Sequence, residues 1–451
     1  MKKISAFILL RSTFLLLFAV VDCNNFFVSC ERVFRPDLKD KPVAVLSNND
    51  GCFVARSNEV KALGIPMAAP LFEYQSIVKK HNVVLFSANF SLYADISERV
   101  MNIIQRYAPY TEVYSIDEAF IDFGNVGNRH AYSLLYEFCT QLRKTILQWT
   151  GIPVSVGIAK TKTLAKIANE YAKKKPEYNG AFQIPYCRDK ACLVPTESET
   201  TILQSIPVKH IWGVGFQLSD LLNRYSIYNA LELKEANEKF LKQHSSINLQ
   251  RTVLELRGIP CYPLQPHKEA AKSVTTSRTF VPPIETLNDL KEAVASYVSR
   301  AAEKLRHDRL ITSHMTLYLR TNRHKSDEPQ YRASQSIQLS SPSAYTPFLV
   351  SKAFELLTTL FRSGYRYKQA GIVFHGLVPR SIRQAHLFDQ AHDYAKENRL
   401  METIDFLNDK WGSTTISLAA TGKVNRLWSS VQSQQSPHYT TDWNSLPIVH
   451  F

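Results

Sequence analysis

The chain has 451 residues, of which 45% are hydrophobic and 11% aromatic, which excludes a wholly disordered protein. At about 150 residues per domain, this length predicts roughly three domains. The formal net charge of +14 indicates a polyanionic partner, first nucleic acid and second an acidic membrane surface, although an ordinary basic protein would also fit. The seven cysteines form neither a disulfide framework nor a zinc pattern, which predicts reduced thiols and a cytoplasmic location.

The N-terminal residues 1–17 contain two lysines and an apolar run, as a signal peptide would. Arg11 interrupts the run, no small-residue cleavage site follows it, and it continues into a strand that ends at Asp22. We therefore interpret residues 1–17 as an extension or a mis-assigned start. A transmembrane helix is excluded by length and by Arg11, so no membrane partner is expected.

Strands and helices are predicted to alternate up to about residue 180. Residues 18–22 form an apolar run that predicts a buried strand. Further strands are predicted at residues 43–46, at 112–123 as two short strands, and at 154–158. Helices are predicted at residues 91–107, 131–149 and 163–173. This alternation indicates an α+β core domain.

The rest of the chain divides into three stretches. Residues 181–258 are predicted to be mostly helical, and the proline-rich residues 259–270 are predicted to be a linker. A second α+β domain follows, in which residues 315–320 alternate as a half-buried strand does. Its other elements are predicted as strands at 273–280, 336–339 and 371–374 and helices near 286–306 and 347–362. From about residue 381 a polar tail with short helical pieces is expected.

Three acids are candidates for metal binding. Asp22 ends the first strand, and Asp117 and Glu118 lie between two short strands. Joining nucleotides requires two divalent ions about 3.5–4 Å apart, held by carboxylates from several parts of a chain. Adjacent residues of a regular strand point to opposite faces, so Asp117 and Glu118 can share a site only at a hairpin tip or irregularity. Acids at strand ends are otherwise often just solvated.

Four ordered segments carry a resemblance to a known family. They are residues 22–31, residues 48–52 with Ala62-Leu63-Gly64 downstream, the tetrapeptide Ser115-Ile116-Asp117-Glu118, and residues 157–169. With these motifs the chain resembles the Y-family translesion DNA polymerases of the UmuC type, over nearly its whole length from Phe18. The resemblance implies an α+β right-hand polymerase with palm, small fingers, helical thumb and α+β little finger. The implied divisions are palm 18–26 and 91–180, fingers 27–90, thumb 181–258, linker 259–270, little finger 271–378 and tail 379–451.

The resemblance also assigns the chemistry of the site. It implies that Asp22, Asp117 and Glu118, helped by the backbone carbonyl of Cys23, hold two Mg²⁺ ions. Phe27 matches the steric gate, the ring that excludes a ribose 2′-hydroxyl, and Phe26 would pack beneath the incoming sugar or base. Core packing is the alternative for both rings.

Cationic side chains are implied to bind the triphosphate. Lys61 and Lys173 match the family positions that contact phosphates, and Arg56 is a nearby candidate. The assignment of Lys173 rests on its spacing from Lys166, because two more lysines follow it directly. We interpret those two as part of a solvated basic loop.

Primer–template DNA is the implied macromolecular partner. Residues 208–215, with Gly213 and Gly215, resemble one helix-hairpin-helix, whose backbone N–H groups bind a phosphate without reading sequence. A plain glycine turn between helices is the alternative. In the implied little finger, Arg320, Arg323 and Lys325, with the intervening His324, are candidate backbone contacts.

The tail is implied to bind proteins. Gln384, Leu387 and Phe388 match the short peptide that bacterial polymerases insert into the sliding clamp. The later residues resemble the UmuC region associated with a processed UmuD-type dimer and RecA-type filaments.

The implied function is error-prone synthesis past damaged template bases in the SOS response, a form of DNA repair and mutagenesis. Two alternatives remain open. One is a non-catalytic factor that binds clamp and DNA and slows replication, and the other is a different palm-type metal enzyme such as a nucleotide cyclase.

Overall fold

The computed structural model describes residues 16–108, 110–125, 129–174, 180–184, 198–237, 246–265, 270–382, 393–422 and 432–446. The predicted clamp peptide, with Gln384, Leu387 and Phe388, lies outside these residues, as does most of the stretch 1–17. The chain forms two compact units: Met1–Lys268 with Ser433–Phe451, and Glu269–Gln432. Among the described helices, none has the length and apolar character needed to cross a membrane.

The first unit contains two sheets. Its described strands are β1 (Leu16–Cys23), β2 (Val43–Leu46), β3 (Phe53–Arg56), β4 (Val84–Ser87), β5 (Thr111–Val113), β6 (Glu118–Asn125), β7 (Val154–Ala159) and β8 (Ala181–Gln183). The larger sheet has the order β5-β6-β1-β7-β8, and the smaller has the order β3-β2-β4. β1 is therefore the central strand of the larger sheet, which explains why its sequence is an almost unbroken apolar run.

Helices cover both sheets of this unit. They are α1 (Phe26–Phe34), α2 (Asn58–Ala62), α3 (Leu71–Lys80), α4 (Phe90–Tyr107), α5 (Arg129–Thr150), α6 (Lys162–Lys174), α7 (Glu199–Ser205), α8 (Phe216–Arg224), α9 (Ala230–Glu235) and α10 (Ile247–Leu256). α6 lies so close to β7 that a Cβ on Gly157 would meet the Ala165 carbonyl oxygen and the Asn169 nitrogen at 2.2 Å. Only glycine allows this approach, which brings the lysines of α6 to the end of β1.

The second unit is a four-stranded antiparallel sheet covered by helices. Its elements are β9 (Ser273–Ile284), α11 (Leu287–His307), β10 (Leu310–Thr321), β11 (Arg332–Ser343), α12 (Thr346–Leu360), β12 (Tyr367–Pro379) and α13 (Tyr394–Trp411). The strand order is β11-β10-β12-β9. Met315, Leu317 and Leu319 of β10 are buried in one core with α11 and α12, so the predicted alternation is confirmed.

Two stretches differ in detail from their predictions. Residues 181–258 are mostly helical where the structure describes them, as predicted, but they begin with a strand, because Ala181–Gln183 pairs in parallel with β7 and extends the larger sheet. The stretch after residue 381 contains the 18-residue helix α13, longer than the short pieces expected. Three residues are too few to show a periodicity, and α13 buries little apolar surface, so neither element gives a strong pattern.

Candidate active site

Asp22 and Glu118 face each other on neighbouring strands. β1 and β6 pair antiparallel with Asp22 opposite Glu118, so both side chains emerge on the same face of the larger sheet. Their side chains are only 14% and 19% exposed. Two acids far apart in the sequence are thus held side by side in a shielded position.

Asp117 lies in the turn that precedes β6. The Tyr114 and Ser115 N–H groups both donate to the Glu118 carbonyl, and the Cys23 N–H donates to the Asp117 carbonyl at 2.8 Å. The Ser115 hydroxyl donates to Asp117 Oδ1 at 2.6 Å. The predicted hairpin irregularity is therefore present, and the turn places Asp117 beside the last residues of β1.

Lysines of α6 neutralise both strand-end acids. Lys173 Nζ lies 2.9 Å from Asp22 Oδ1. Lys166 Nζ donates to both Glu118 oxygens at 2.9 Å and lies 4.8 Å from the centre of the Tyr114 ring. Sequence reasoning did not assign a role to Lys166. Lys166 lies seven residues, about two helical turns, before Lys173, so both lysines lie on one face of the helix. This spacing in the sequence could have predicted that Lys166 also faces the site.

Burial raises the pKa of the Asp22 carboxyl to about 7, against the opposing charge of Lys173, and the nearby Glu118 carboxylate raises it further. A carboxylate in such surroundings is poorly stabilised without a cation. The local chemistry therefore favours a positive group at the end of β1.

The donor set at this position suits a hard divalent cation, because it consists of carboxylate oxygens and the backbone at Cys23. Among the residues that the structure describes, however, no three His, Cys, Asp or Glu side chains are grouped closely enough to hold a metal ion. The convergence of Asp22, Asp117 and Glu118 on shared ions stays a prediction. Lys173 and Lys166 pair with two of these acids, so a bound cation would have to displace their ammonium groups.

A divalent cation that binds at Asp22 should stabilise the protein more at pH 8 than at pH 6. With the pKa of Asp22 raised to about 7, a proton competes with the cation below that pH, and apparent affinity should fall by about tenfold per pH unit. The check is the increase in melting temperature on adding Mg²⁺ at each pH. Asp22→Asn should lose most of this increase at both values; an equal increase in the parent at pH 6 and pH 8 would contradict the prediction.

The candidate phosphate ligands lie close together. Lys61 Nζ donates to Asn25 Oδ1 at 2.6 Å, and Asn25 also donates to Asn58 Oδ1 at 3.1 Å. Burial and then the charges of Arg56 and Lys173 lower the pKa of Lys61. The charges of Arg56 and Lys173 thus both act on Lys61, and we call these three cations the positive cluster; the charge of Asp22 acts in the opposite direction on Lys61.

The two adjacent phenylalanines occupy different surroundings at the start of α1. Phe26 is buried in the core, whereas Phe27 is only partly buried against that core. The Phe27 ring stacks on Tyr93 of α4 at 4.4 Å and 12° and meets the Phe90 ring edge-on at 5.9 Å. Core packing accounts for Phe26, while Phe27 has a ring held in one orientation by aromatic neighbours.

The predicted hairpin lies between α7 and α8. Gly213 has φ +87°, a conformation that favours glycine, and Gly215 is the N-cap of α8. Trp212 Nε1 donates to the Tyr114 hydroxyl at 3.1 Å, and its ring packs on Phe120 at 5.8 Å. The hairpin is thus anchored to the turn region that carries Asp117.

The predicted DNA contacts of the second unit lie at the end of β10 and in the turn after it. The Arg320 guanidinium lies 4.8 Å from the Tyr318 ring centre. Arg323 donates to His324 at 3.2 Å, and Lys325 pairs with Glu328 at 2.7 Å. Glu328 also pairs with Arg366 at 2.7 Å, so one carboxylate is shared by two cations and positive charge remains at this turn.

Solved structures define the class of this fold. A chimera of the Y-family DNA polymerases Dbh and Dpo4 covers 80% of this chain and 99% of its own, with a TM-score of 0.61 at 20% identity. An insertion ternary complex of Dbh DNA polymerase covers the same shares with a TM-score of 0.52 at 21% identity. The fold is that of a Y-family DNA polymerase, which confirms the predicted right-hand α+β architecture.

Comparisons of sequence identify the family within this class of polymerases. The impB/mucB/samB family matches residues 21–170, its C-terminal domain matches 271–387, and a domain of unknown function (DUF4113) matches 398–449. Protein UmuC of Salmonella typhimurium is 38% identical over 95% of this chain and 99% of its own length. Protein ImpB of Salmonella typhimurium is 37% identical over 96% and 99%. The chain therefore belongs to the impB/mucB/samB family, the UmuC type of Y-family DNA polymerase.

A more distant relative in sequence is also a DNA polymerase. DNA polymerase IV of Desulfatibacillum aliphaticivorans is 25% identical over 89% of this chain and 95% of its own length. The resemblance recognised from the four motifs is confirmed.

Proposed function

We propose that this chain carries out error-prone, template-directed DNA synthesis past damaged bases, as part of the bacterial SOS response. The observation that carries the proposal is the pairing of Asp22 with Glu118 at the end of β1, beside the positive cluster of Lys61, Arg56 and Lys173. Nucleotidyl transfer requires carboxylates that bind metal ions next to cationic side chains that bind phosphates.

Two Mg²⁺ ions would be held by Asp22, Asp117, Glu118 and the Cys23 carbonyl, and would activate the primer 3′ oxygen and neutralise the triphosphate. The protein's own part is positioning and charge. The turn at Ser115 orients Asp117, and α6 supplies Lys173.

Lys173 has two candidate partners in this proposal. Without substrate its ammonium group pairs with Asp22 at 2.9 Å. With cations on the carboxylates, the same ammonium group would be available to bind a phosphate oxygen. Lys61, held by Asn25, would also contact the triphosphate, with Arg56 nearby.

Primer–template DNA would be held by the hairpin at Gly213 and Gly215 and by Arg320, Arg323 and Lys325. Deoxynucleoside triphosphates would be the small-molecule substrates.

The tail would bind the sliding clamp through Gln384, Leu387 and Phe388, and a UmuD-type processed dimer and RecA-type filament would be further partners. The domain divisions given above are part of this proposal.

Phe27→Ala should increase ribonucleotide incorporation. Removing the ring leaves space for a 2′-hydroxyl, so the ratio of kcat/KM for ribonucleotides to that for deoxynucleotides should rise by about 10²-fold. Single-nucleotide primer extension measures the ratio. Phe72→Ala is the control and should keep the parent ratio, because Phe72 of α3 is 73% exposed and is not among the described rings that contact Phe27. Equal ratios in Phe27→Ala and the parent would show that Phe27 is not the gate.

The decisive experiment is primer extension with Mg²⁺ on damaged and undamaged templates, with and without the clamp and a UmuD-type dimer. The proposal expects extension across the lesion in at least one of these conditions. Absence of extension in all of them would favour the non-catalytic clamp- and DNA-binding factor. Incubation with nucleotides and no DNA tests the cyclase alternative, because a cyclic product would form only in that case.

A further inference from the structure

Residues 433–446, which we call the C-terminal strap, are part of the first unit although they follow the second unit in sequence. The Ser87 N–H donates to the Gln434 carbonyl at 3.0 Å, so the strap extends the smaller sheet at the end of β4. The Ser433 N–H and hydroxyl both donate to Asp50 Oδ2 at 3.0 Å. The strap lies within the region that matches the domain of unknown function.

The strap enters a buried polar network around Glu31 of α1. The Ser436 hydroxyl donates to Glu31 Oε1 at 3.1 Å, and the Tyr93 hydroxyl donates to the same oxygen at 2.6 Å. Asn89 Nδ2 donates to Ser436 Oγ at 3.0 Å. Glu31, Asn89 and Tyr93 are each 0% exposed, and Ser436 is 5% exposed. A serine of the strap is therefore part of the core of the first unit.

This network ends on the proposed steric gate. Tyr93, which is held by Glu31, stacks face to face on Phe27 at 4.4 Å and 12°. At the other end of α1, Tyr439 of the strap stacks on Phe34 at 4.5 Å and 8°. The strap thus contacts α1 directly at Glu31 and at its last residue, Phe34, and it reaches the second residue, Phe27, through Glu31 and Tyr93.

We propose that the C-terminal strap is a positioning element of the nucleotide pocket, which acts through Ser436, Glu31 and Tyr93 to hold Phe27 against the incoming sugar. The proposal rests on the proposed function, because it takes Phe27 as the gate. It assigns a role in sugar discrimination to part of a region that the polymerase motifs do not include.

The hydrogen bonding of Glu31 explains why losing the Ser436 hydroxyl would affect the position of Phe27. Its second oxygen, Oε2, is buried without a hydrogen-bond partner among the described residues, so the side chain is fixed by the two donors to Oε1. Removing one donor from a buried carboxyl group leaves it free to shift toward the remaining partner. Any shift moves Tyr93 and with it the face on which Phe27 rests. A gate excludes a single hydroxyl group by contact, so a displacement of well under 1 Å changes its selectivity.

The test compares Ser436→Ala with Ser445→Ala. Both remove a serine hydroxyl from the strap, but Ser445 donates at 2.9 Å to Asp442 and not to the network. The ratio of kcat/KM for ribonucleotide to that for deoxynucleotide should rise about fivefold in Ser436→Ala and stay at the parent value in Ser445→Ala. Because both substrates are measured on one preparation, partial unfolding does not change the ratio. Glu31→Gln, which keeps the shape of the side chain, should change the ratio in the same direction.

The outcomes separate this inference from the proposed function. If the parent extends primers and Phe27→Ala raises the ratio, but Ser436→Ala and Glu31→Gln both match Ser445→Ala, the inference is overturned and the polymerase assignment stands. If Phe27→Ala also leaves the ratio unchanged, the gate itself is misassigned and the inference falls with it. If the ratio rises in Ser436→Ala and in Glu31→Gln but stays at the parent value in Ser445→Ala, the strap is supported as a positioning element.

Discussion

Asp117→Asn should reduce primer extension by about 10³-fold or more. The asparagine amide has the size of the carboxylate and can still accept the hydroxyl hydrogen bond from Ser115, which is 2.6 Å long in the parent. The substitution therefore removes one negative charge while it leaves the turn before β6 in place. The loss of a charged ligand at a site where charge neutralisation drives the reaction is among the largest single effects in catalysis.

Asp122→Asn is the matched control for this experiment. Asp122 lies on β6 and accepts the Gly124 N–H at 2.7 Å, but it pairs across the sheet with Phe18, at the opposite end of β1 from Asp22. The primer-extension rate of Asp122→Asn should remain within about twofold of the parent rate, since substitutions away from a site have small effects. If Asp117→Asn extended primers as fast as the control, the enzymatic proposal would be wrong.

Lys162→Met should lower the free energy of unfolding by about 3–5 kcal/mol. Lys162 pairs with Glu112, and both residues are buried, at 2% and 8% exposure. The same lysine donates to the Pro263 carbonyl at 2.9 Å, and Glu112 accepts the Gln265 N–H at 2.8 Å. Methionine fills the space but leaves Glu112 as an uncompensated buried charge, which also loosens the stretch after α10.

Urea unfolding measures this change, with Lys352→Met as the control. Lys352 pairs with Glu355 on the surface of α12, where such a pair contributes about 0–1 kcal/mol. Changing Glu112 to Leu as well should recover much of the loss, because the unpaired charge is then gone. A loss below about 1 kcal/mol in Lys162→Met would show that the pair is not buried in solution as it is here.

Local patterns predicted the elements that carry the site. The apolar run that ends at Asp22, the two strands around Asp117 and Glu118, and the helix with Lys166 and Lys173 all lie within a few residues of their expected limits. These elements are periodic or continuous over enough residues to be recognised. The family motifs then predicted the polymerase fold, which the comparisons confirm.

Long-range pairing was not available from these patterns. Spacing alone does not show that Asp22 faces Glu118, since register depends on how two distant strands meet. It also does not show that Lys173 pairs with Asp22, because that depends on the close approach of α6 at Gly157. The polar strap has no periodicity, and its place is set by the edge of a sheet formed more than 300 residues earlier in the chain.

The way the strap covers β4 has a practical consequence for shortened forms of this protein. Cutting after β12 is an obvious way to isolate the catalytic portion, yet it removes the partner of the Ser87 N–H. The Ser87 N–H at the end of the edge strand β4 would then have no partner from the strap, and a strand of another molecule could pair there. We expect such shortened proteins to self-associate more than the full chain, and a replacement peptide with the sequence of residues 433–446 to reduce this association.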